Sequence, residues 1–351
     1  MTVCYFGGYN PNNSRNRIFL KALRGAGIEV LECRDTSVFP LNLIRLFLKH
    51  RKIRKKYDVM LIGFAGQGMT FFANLITRKP IILDAFISLY NTVVEDRKLH
   101  SEFSPSALYN FLLDWGSIRL ADRVLLDTHE HVKYFVKKFE MNESKFYVVP
   151  VGTDESIFYL RPEQKHDKII VGFHGTYIPL HGVDYIIKAA AILKNRDDIV
   201  FRFLGNGQTL GETKKAVKEL GLNNIKFHEE RVPYEKLPEF IAGNDICLGI
   251  FGDTTKARMV IPNKIYECAA MKKIIVTEDT PAIREYFDAK DMKMIDITNP
   301  SNLADAILDL KEKPELRQEL GNNAYNKFKT FGTVEMISMK LREILSESLR
   351  G

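Results

Sequence analysis

Asn263, Lys264 and Glu267 crowd the start of one expected helix in Ile-Pro-Asn-Lys-Ile-Tyr-Glu-Cys (261–268). Pro262 suits the first turn of a helix, because the N–H it lacks is one the helix leaves unbonded anyway. The N-terminus of a helix favours anions through its dipole and its free N–H groups. Lys264 adds a full charge there. Glu267 follows one turn further in, where a carboxylate can accept both hydroxyls of a ribose. The plainer reading of Glu267 is a partner for the helix dipole. Together these residue types suit an anionic ligand.

Further candidates stand where expected strands run into glycine-marked loops. Val-Gly-Phe-His-Gly-Thr-Tyr-Ile-Pro-Leu-His-Gly (171–182) carries Thr176 and His181. As an imidazolium, His181 can bond a phosphate oxygen and switch charge near neutral pH; otherwise it is a loop histidine with no ligand. Gly205-Asn206-Gly207 looks like a dinucleotide loop, but its third glycine, Gly211, comes one place late and no acidic strand end follows. That argues against NAD. Gly7 and Gly8 follow the first strand, as a phosphate contact or an ordinary turn. Asp84 ends the fourth strand, where it could act as a general acid or base or cap a helix. Asp127 with Glu130 resembles a capping box. His100 and His131 read as structural. No serine–histidine–acid or cysteine–histidine set assembles from these pieces.

These residues need elements to hold them. Apolar strand-like runs fall at 2–7, 28–33, 58–64, 80–86, 123–127 and 146–151, with helical stretches between. A second set falls at 168–173, 199–204, 225–228, 245–250, 273–277 and 293–297. Such alternation predicts an α/β chain with two doubly wound, Rossmann-like parallel sheets. The expected domains are 1–160 and 161–330, followed by a helix within 331–351, with the polar stretch 153–168 as linker. Ligands of open α/β sheets bind outside the carboxyl ends of the strands, so two such domains facing each other make a cleft.

The order of the motifs between 171 and 286 resembles the nucleotide-sugar half of family-4 glycosyltransferases of the GT-B fold. The resemblance implies a nucleotide-diphosphate sugar as donor, retention of configuration, no metal or other cofactor, and a last helix (334–348) that crosses back to the first, acceptor-binding domain. It implies that Glu267 holds the ribose, that Gly205 borders the nucleotide and that Arg231 and Val232 border the base. It also raises Gly8 as a contact to the donor diphosphate or sugar, and Asp84 as the group acting on the acceptor. Three positions depart from the pattern. Met259 stands where the family has its first glutamate, and Thr176 and His181 stand where it has arginine and lysine. Lys256, Arg258 and Lys264 are then the cations left to supply charge. The acceptor implied is a lipid-linked saccharide or other envelope glycan precursor. A nucleotide-sugar epimerase and a weakly active partner subunit are the alternative classes.

Bulk properties limit the rest. With 351 residues, two domains are the natural expectation. Four scattered cysteines without metal spacing suit a reducing compartment, and the first residues lack a charged leader, so a cytoplasmic location is expected. The uncharged stretch 59–77 is interrupted by Gly66-Gln67-Gly68 and reads as a strand, a loop and a helix rather than a membrane span. The net charge is +7. Arg45, Lys49, Arg51, Lys52, Arg54, Lys55 and Lys56 carry that whole excess, and no acid lies between Asp35 and Asp58. Leu41, Leu43, Ile44, Leu46, Phe47 and Leu48 precede them. A basic amphipathic helix reads as peripheral on an anionic membrane surface, or as a solvated helix with its leucines in the core. The patch lacks interleaved aromatics, which argues against nucleic acid.

Overall fold

The computed structural model describes residues 1–350 apart from 163, 165 and 231. The chain forms two compact units, one of residues 1–152 with 332–351 and one of 153–331. The stretch expected as linker is therefore part of the second unit. Its anchor is Phe158, fully buried and edge-on to Tyr234 at 5.0 Å.

The first unit is built on six parallel strands in the order β2-β1-β3-β4-β5-β6. These are β1 (Thr2–Gly7), β2 (Glu29–Arg34), β3 (Val59–Ile62), β4 (Ile81–Phe86), β5 (Arg123–Leu126) and β6 (Phe146–Val148). Strands covered on both faces must be apolar throughout, and Val59–Ile62 is buried at every position. Helix α1 (Ser14–Gly25) begins at Asn13, whose side chain accepts from the N–H of Arg15. On one face, α1 and α13 (Val334–Ser348) share a core with β1 and β3, and Ser338 donates to the Ala22 carbonyl at 2.8 Å. The other face is covered by α2 (Leu41–Ile53), α3 (Gln67–Ile76), α4 (Pro105–Leu120) and α5 (His129–Phe139), whose buried residues form a second cluster. The uncharged stretch 59–77 is thus β3 and α3. Among the described residues no helix is long and apolar enough to cross a membrane.

The second unit repeats the plan with the order β12-β11-β10-β7-β8-β9, all parallel. Its strands are β7 (Ile169–His174), β8 (Ile199–Leu204), β9 (Ile225–His228), β10 (Ile246–Leu248), β11 (Ile275–Glu278) and β12 (Lys293–Ile295). Around them pack α6 (Val183–Ile192), α7 (Leu210–Glu219), α8 (Leu237–Ala242), α9 (Asn263–Ala270), α10 (Pro281–Arg284), α11 (Ser301–Glu312) and α12 (Pro314–Phe328). The sheet order turns at β7 and β10, where the loops leaving their carboxyl ends diverge. That is the place where open α/β sheets bind ligands.

Candidate functional site

At the carboxyl end of β7, Gly175 has φ +148°, and the missing Cβ would stand 3.1 Å from Lys264 Nζ and 3.2 Å from His181 Cε1. Beside it, Gly205 has φ +136°, and a Cβ there would lie 1.9 Å from the Gly175 carbonyl oxygen. Only glycine allows the two loops to approach this closely. Helix α9 opens onto the same place. Pro262 is its N-cap rather than its first helical residue, with an extended backbone (ψ 152°).

Lys264 is buried. Its Nζ donates to the Gly249 carbonyl at 3.2 Å and lies 3.8 Å from the centre of the Phe173 ring. Among the described residues no carboxylate pairs with it. Burial pushes its pKa down to about 7, opposed by Cys268 and Glu267. A desolvated cation without a counter-ion is costly, and an anionic ligand removes that cost.

Glu267 is buried as well. Its Oε2 accepts from His174 Nε2 at 2.9 Å, and His174 Nδ1 has no partner among the described residues. Sequence reasoning missed His174. The one available signal was its place as the last residue of β7, directly before Gly175. The bond fixes the carboxylate against the sheet, which a mere dipole partner does not require.

His181 departs from expectation. Its Nδ1 donates to the Thr176 carbonyl oxygen, and burial, with Lys264 close by, holds its pKa well below the usual value. It is a neutral imidazole with its proton on Nδ1, so the imidazolium reading is withdrawn. Thr176 itself is exposed. Arg258 is exposed and faces Glu278, with 4.0 Å between Nη1 and Oε1. Burial pushes the Glu278 carboxyl up to about 7 against the pull of Arg258. Asn263 and Val232 are half-buried. Arg231 lies outside the described residues.

In the first unit, Gly8 is exposed in the turn between β1 and α1. Asp84 does not stand where an acceptor base would. It is fully buried, and both its oxygens accept from Arg15 Nε at 3.1 and 3.2 Å, with Arg15 Nη2 adding a bond of 2.9 Å to Oδ1. Burial pushes the carboxyl up and Arg15 opposes that. Arg15 Nη1 also donates to the Val149 and Pro150 carbonyls at 2.6 and 3.1 Å. The pair fastens α1 to the ends of β4 and β6. Gln67 is likewise turned inward, its Nε2 donating to the Ile87 carbonyl at 3.0 Å. The expected capping box is absent: Thr128, not Asp127, caps α5, and Glu130 pairs with Lys133 at 2.6 Å. Asp127 Oδ1 accepts from His131 Nδ1 at 2.5 Å inside the core. The basic side chains are exposed: Arg45, Lys49, Arg51 and Lys52 on α2, with Lys55 and Lys56 in the turn after it. Lys49 pairs with Asp35 at 2.9 Å, and Arg45 donates to Ser37 Oγ at 2.7 Å.

Solved structures show the same fold. The Anabaena protein HepE, in complex with UDP and glucose, superposes with a TM-score of 0.75 at 16% identity, covering 99% of this chain and 100% of that one. Sucrose-phosphate synthase from Thermosynechococcus elongatus superposes with a TM-score of 0.77 at 12% identity, covering 99% of this chain and 98% of that one. The fold is the two-domain α/β GT-B fold. Residues 159–327, which include every element of the glycine cradle and α9, match the family Glycosyl transferases group 1. In sequence the chain is similar to MMP alpha-(1->4)-mannosyltransferase of Mycolicibacterium hassiacum, 26% identical over 109 residues, which is 31% of this chain and 26% of that protein. The chain matches between about a quarter and just over half the length of its curated relatives, at 26%, 40% and 56%.

Proposed function

We propose that this chain is a glycosyltransferase of the family-4 type, moving a sugar from a nucleotide-diphosphate donor to an acceptor hydroxyl with retention of configuration. The observation that carries the reading is Lys264, a buried cation with no counter-ion among the described residues, set at the start of α9 against the Gly175–Gly205 cradle with Glu267 one turn away. In this reading Glu267 takes the ribose hydroxyls. Lys264 and the N-terminus of α9 face the diphosphate. As the glycosidic bond breaks, charge grows on the leaving diphosphate, and fixed positive groups stabilise it most at that moment. Lys264 and α9 supply that charge, and the reading assigns no step to a metal or other cofactor. Val232 borders the base. The acceptor is a lipid-linked saccharide or envelope glycan precursor, met at the cytoplasmic face of a membrane where α2 rests on anionic headgroups.

A thermal-shift series with UDP, GDP and ADP, followed by transfer or hydrolysis of radiolabelled nucleotide sugars, tests the reading. UDP comes first because the HepE complex contains it. A nucleoside diphosphate is expected to raise the melting temperature, and one nucleotide sugar is expected to turn over. No shift with any of the three would end the donor assignment. Binding without turnover would favour the second reading, a weakly active partner subunit. Met259 and the neutral His181 are the observations on its side.

Glu267→Ala is expected to weaken nucleoside diphosphate binding by about 1.5–3 kcal/mol, the worth of a hydrogen bond to a charged group. Glu267→Gln serves as control, since its amide oxygen still accepts from His174. Calorimetry showing parental affinity in a folded Glu267→Ala variant would remove the ribose contact.

A further inference from the structure

The outward face of α2 is not a core face. Leu41, Ile44 and Leu48 follow at three- and four-residue spacing, form one stripe, and are all exposed. Leu46 and His50 form the inward stripe and are buried. Arg51 continues the outward row, and Lys52, Lys55 and Lys56 follow it, exposed. The solvated-helix reading put the leucines in the core; only Leu46 is there.

Exposed apolar side chains do not stop at α2. His50 Nε2 donates to Tyr57 Oη at 2.8 Å, and Tyr57 donates to Thr77 Oγ1 at 2.7 Å, which ties α2 to the end of α3. Helix α3 exposes Phe71 and Leu75, the latter at 82%. Phe71 lies on α4 at Gly116, where a Cβ would come within 2.5 Å of the ring. One and two turns before Gly116, α4 exposes Leu112 and Leu108, and Phe103 just ahead of the helix is 94% exposed. All three helices contribute to one core cluster and so cover the same face of the sheet. Exposed apolar side chains on three helices that cover one face of the sheet mark an interaction site. Its basic border, free of acids from 36 to 57, fits an anionic surface better than a protein of unspecified charge.

We propose that α2, α3 and α4 together form a membrane-docking face. The basic row of α2 sits on anionic headgroups, and the apolar side chains of α3 and α4 enter the acyl boundary of the bilayer. This rests on the membrane part of the functional reading and extends it from electrostatic contact to insertion. The face belongs to the first unit, and the elements that hold Lys264 and Glu267 belong to the second.

The test uses the full chain and vesicles of phosphatidylcholine, alone or mixed with phosphatidylglycerol. Trp115, the single tryptophan, lies on α4 one turn beyond Leu112. Flotation with the anionic vesicles only is expected, together with quenching of Trp115 by lipids brominated on the acyl chains. Arg51→Gln, Lys52→Gln, Lys55→Gln and Lys56→Gln combined are expected to abolish flotation. Leu75→Ser with Leu112→Ser is expected to weaken it at least about tenfold, since each leucine gives up its burial in lipid. Both variants should keep the parental melting temperature and its nucleoside diphosphate shift. Anionic-dependent flotation without quenching, unchanged in the double serine variant, overturns insertion and leaves the α2 contact standing. Absence of flotation on either lipid overturns both. A dimer in solution that the serine variant splits would then assign the face to a second copy of the chain.

Discussion

Arg15→Met is expected to destabilise the first unit by about 3–5 kcal/mol, because it leaves Asp84 buried without its counter-charge. Asp84 is fully buried, and among the described residues every charged hydrogen bond to its carboxylate comes from Arg15. The pair also carries the Val149 and Pro150 carbonyls, so the loss spreads to the end of β6. Asp84→Asn should be similarly damaging, since an amide cannot accept the fork of the guanidinium on both sides. Arg15→Met combined with Asp84→Leu should recover much of the loss, because a well-packed apolar pair replaces a buried ion pair at little cost. Chemical denaturation of the three variants measures this. Had Asp84 been an acceptor base, Asp84→Asn would lower turnover while leaving stability intact. That outcome would restore the catalytic assignment.

Lys264→Met is expected to act in two directions. Without ligand the variant should be more stable than the parent by about 1–4 kcal/mol, as found when buried charge gives way to apolar volume. The sign follows from linkage. The folded pKa of Lys264, about 7, lies below its ordinary value of 10.5. Between these values the unfolded chain binds more protons, so the parent gains stability as pH rises through that window. The cost of the buried cation is fully present below pH 7, and there the variant should gain most. Nucleoside diphosphate affinity should fall by about 2–5 kcal/mol, the usual effect of truncating one partner of a buried charge pair. In the parent, affinity should also fall as pH rises above 7, by up to about tenfold per unit, because binding must then take up a proton. Calorimetry in buffers of differing ionisation enthalpy reads that proton directly. A flat profile in the parent, or parental affinity in Lys264→Met, would take Lys264 off the diphosphate.

The amino-acid sequence by itself determined the two sheets. Their strands are short apolar runs bounded by glycine, proline and polar turns, and in central strands such as β3 burial on both faces leaves no freedom in that pattern. It also located α9, because Pro262 and the residues after it carry a local helix-start signal that needs no distant partner. Other outcomes were settled by partners far away along the chain. Asp84 looked available until Arg15, 69 residues earlier, was found on it. His181 looked like a charge switch until burial and Lys264 made it neutral. His174 meets Glu267 across 93 positions, and no spacing rule links them. The direction in which a leucine points is a further case. Leu46 and Leu48 are alike in sequence, yet one lies in the core and the other faces out, since only the docking of α2 on its sheet decides which stripe is covered. Local pattern fixes elements because backbone hydrogen bonding and periodicity are short-ranged. Charge state and exposure depend on what packs against a side chain, and that is decided by the tertiary structure.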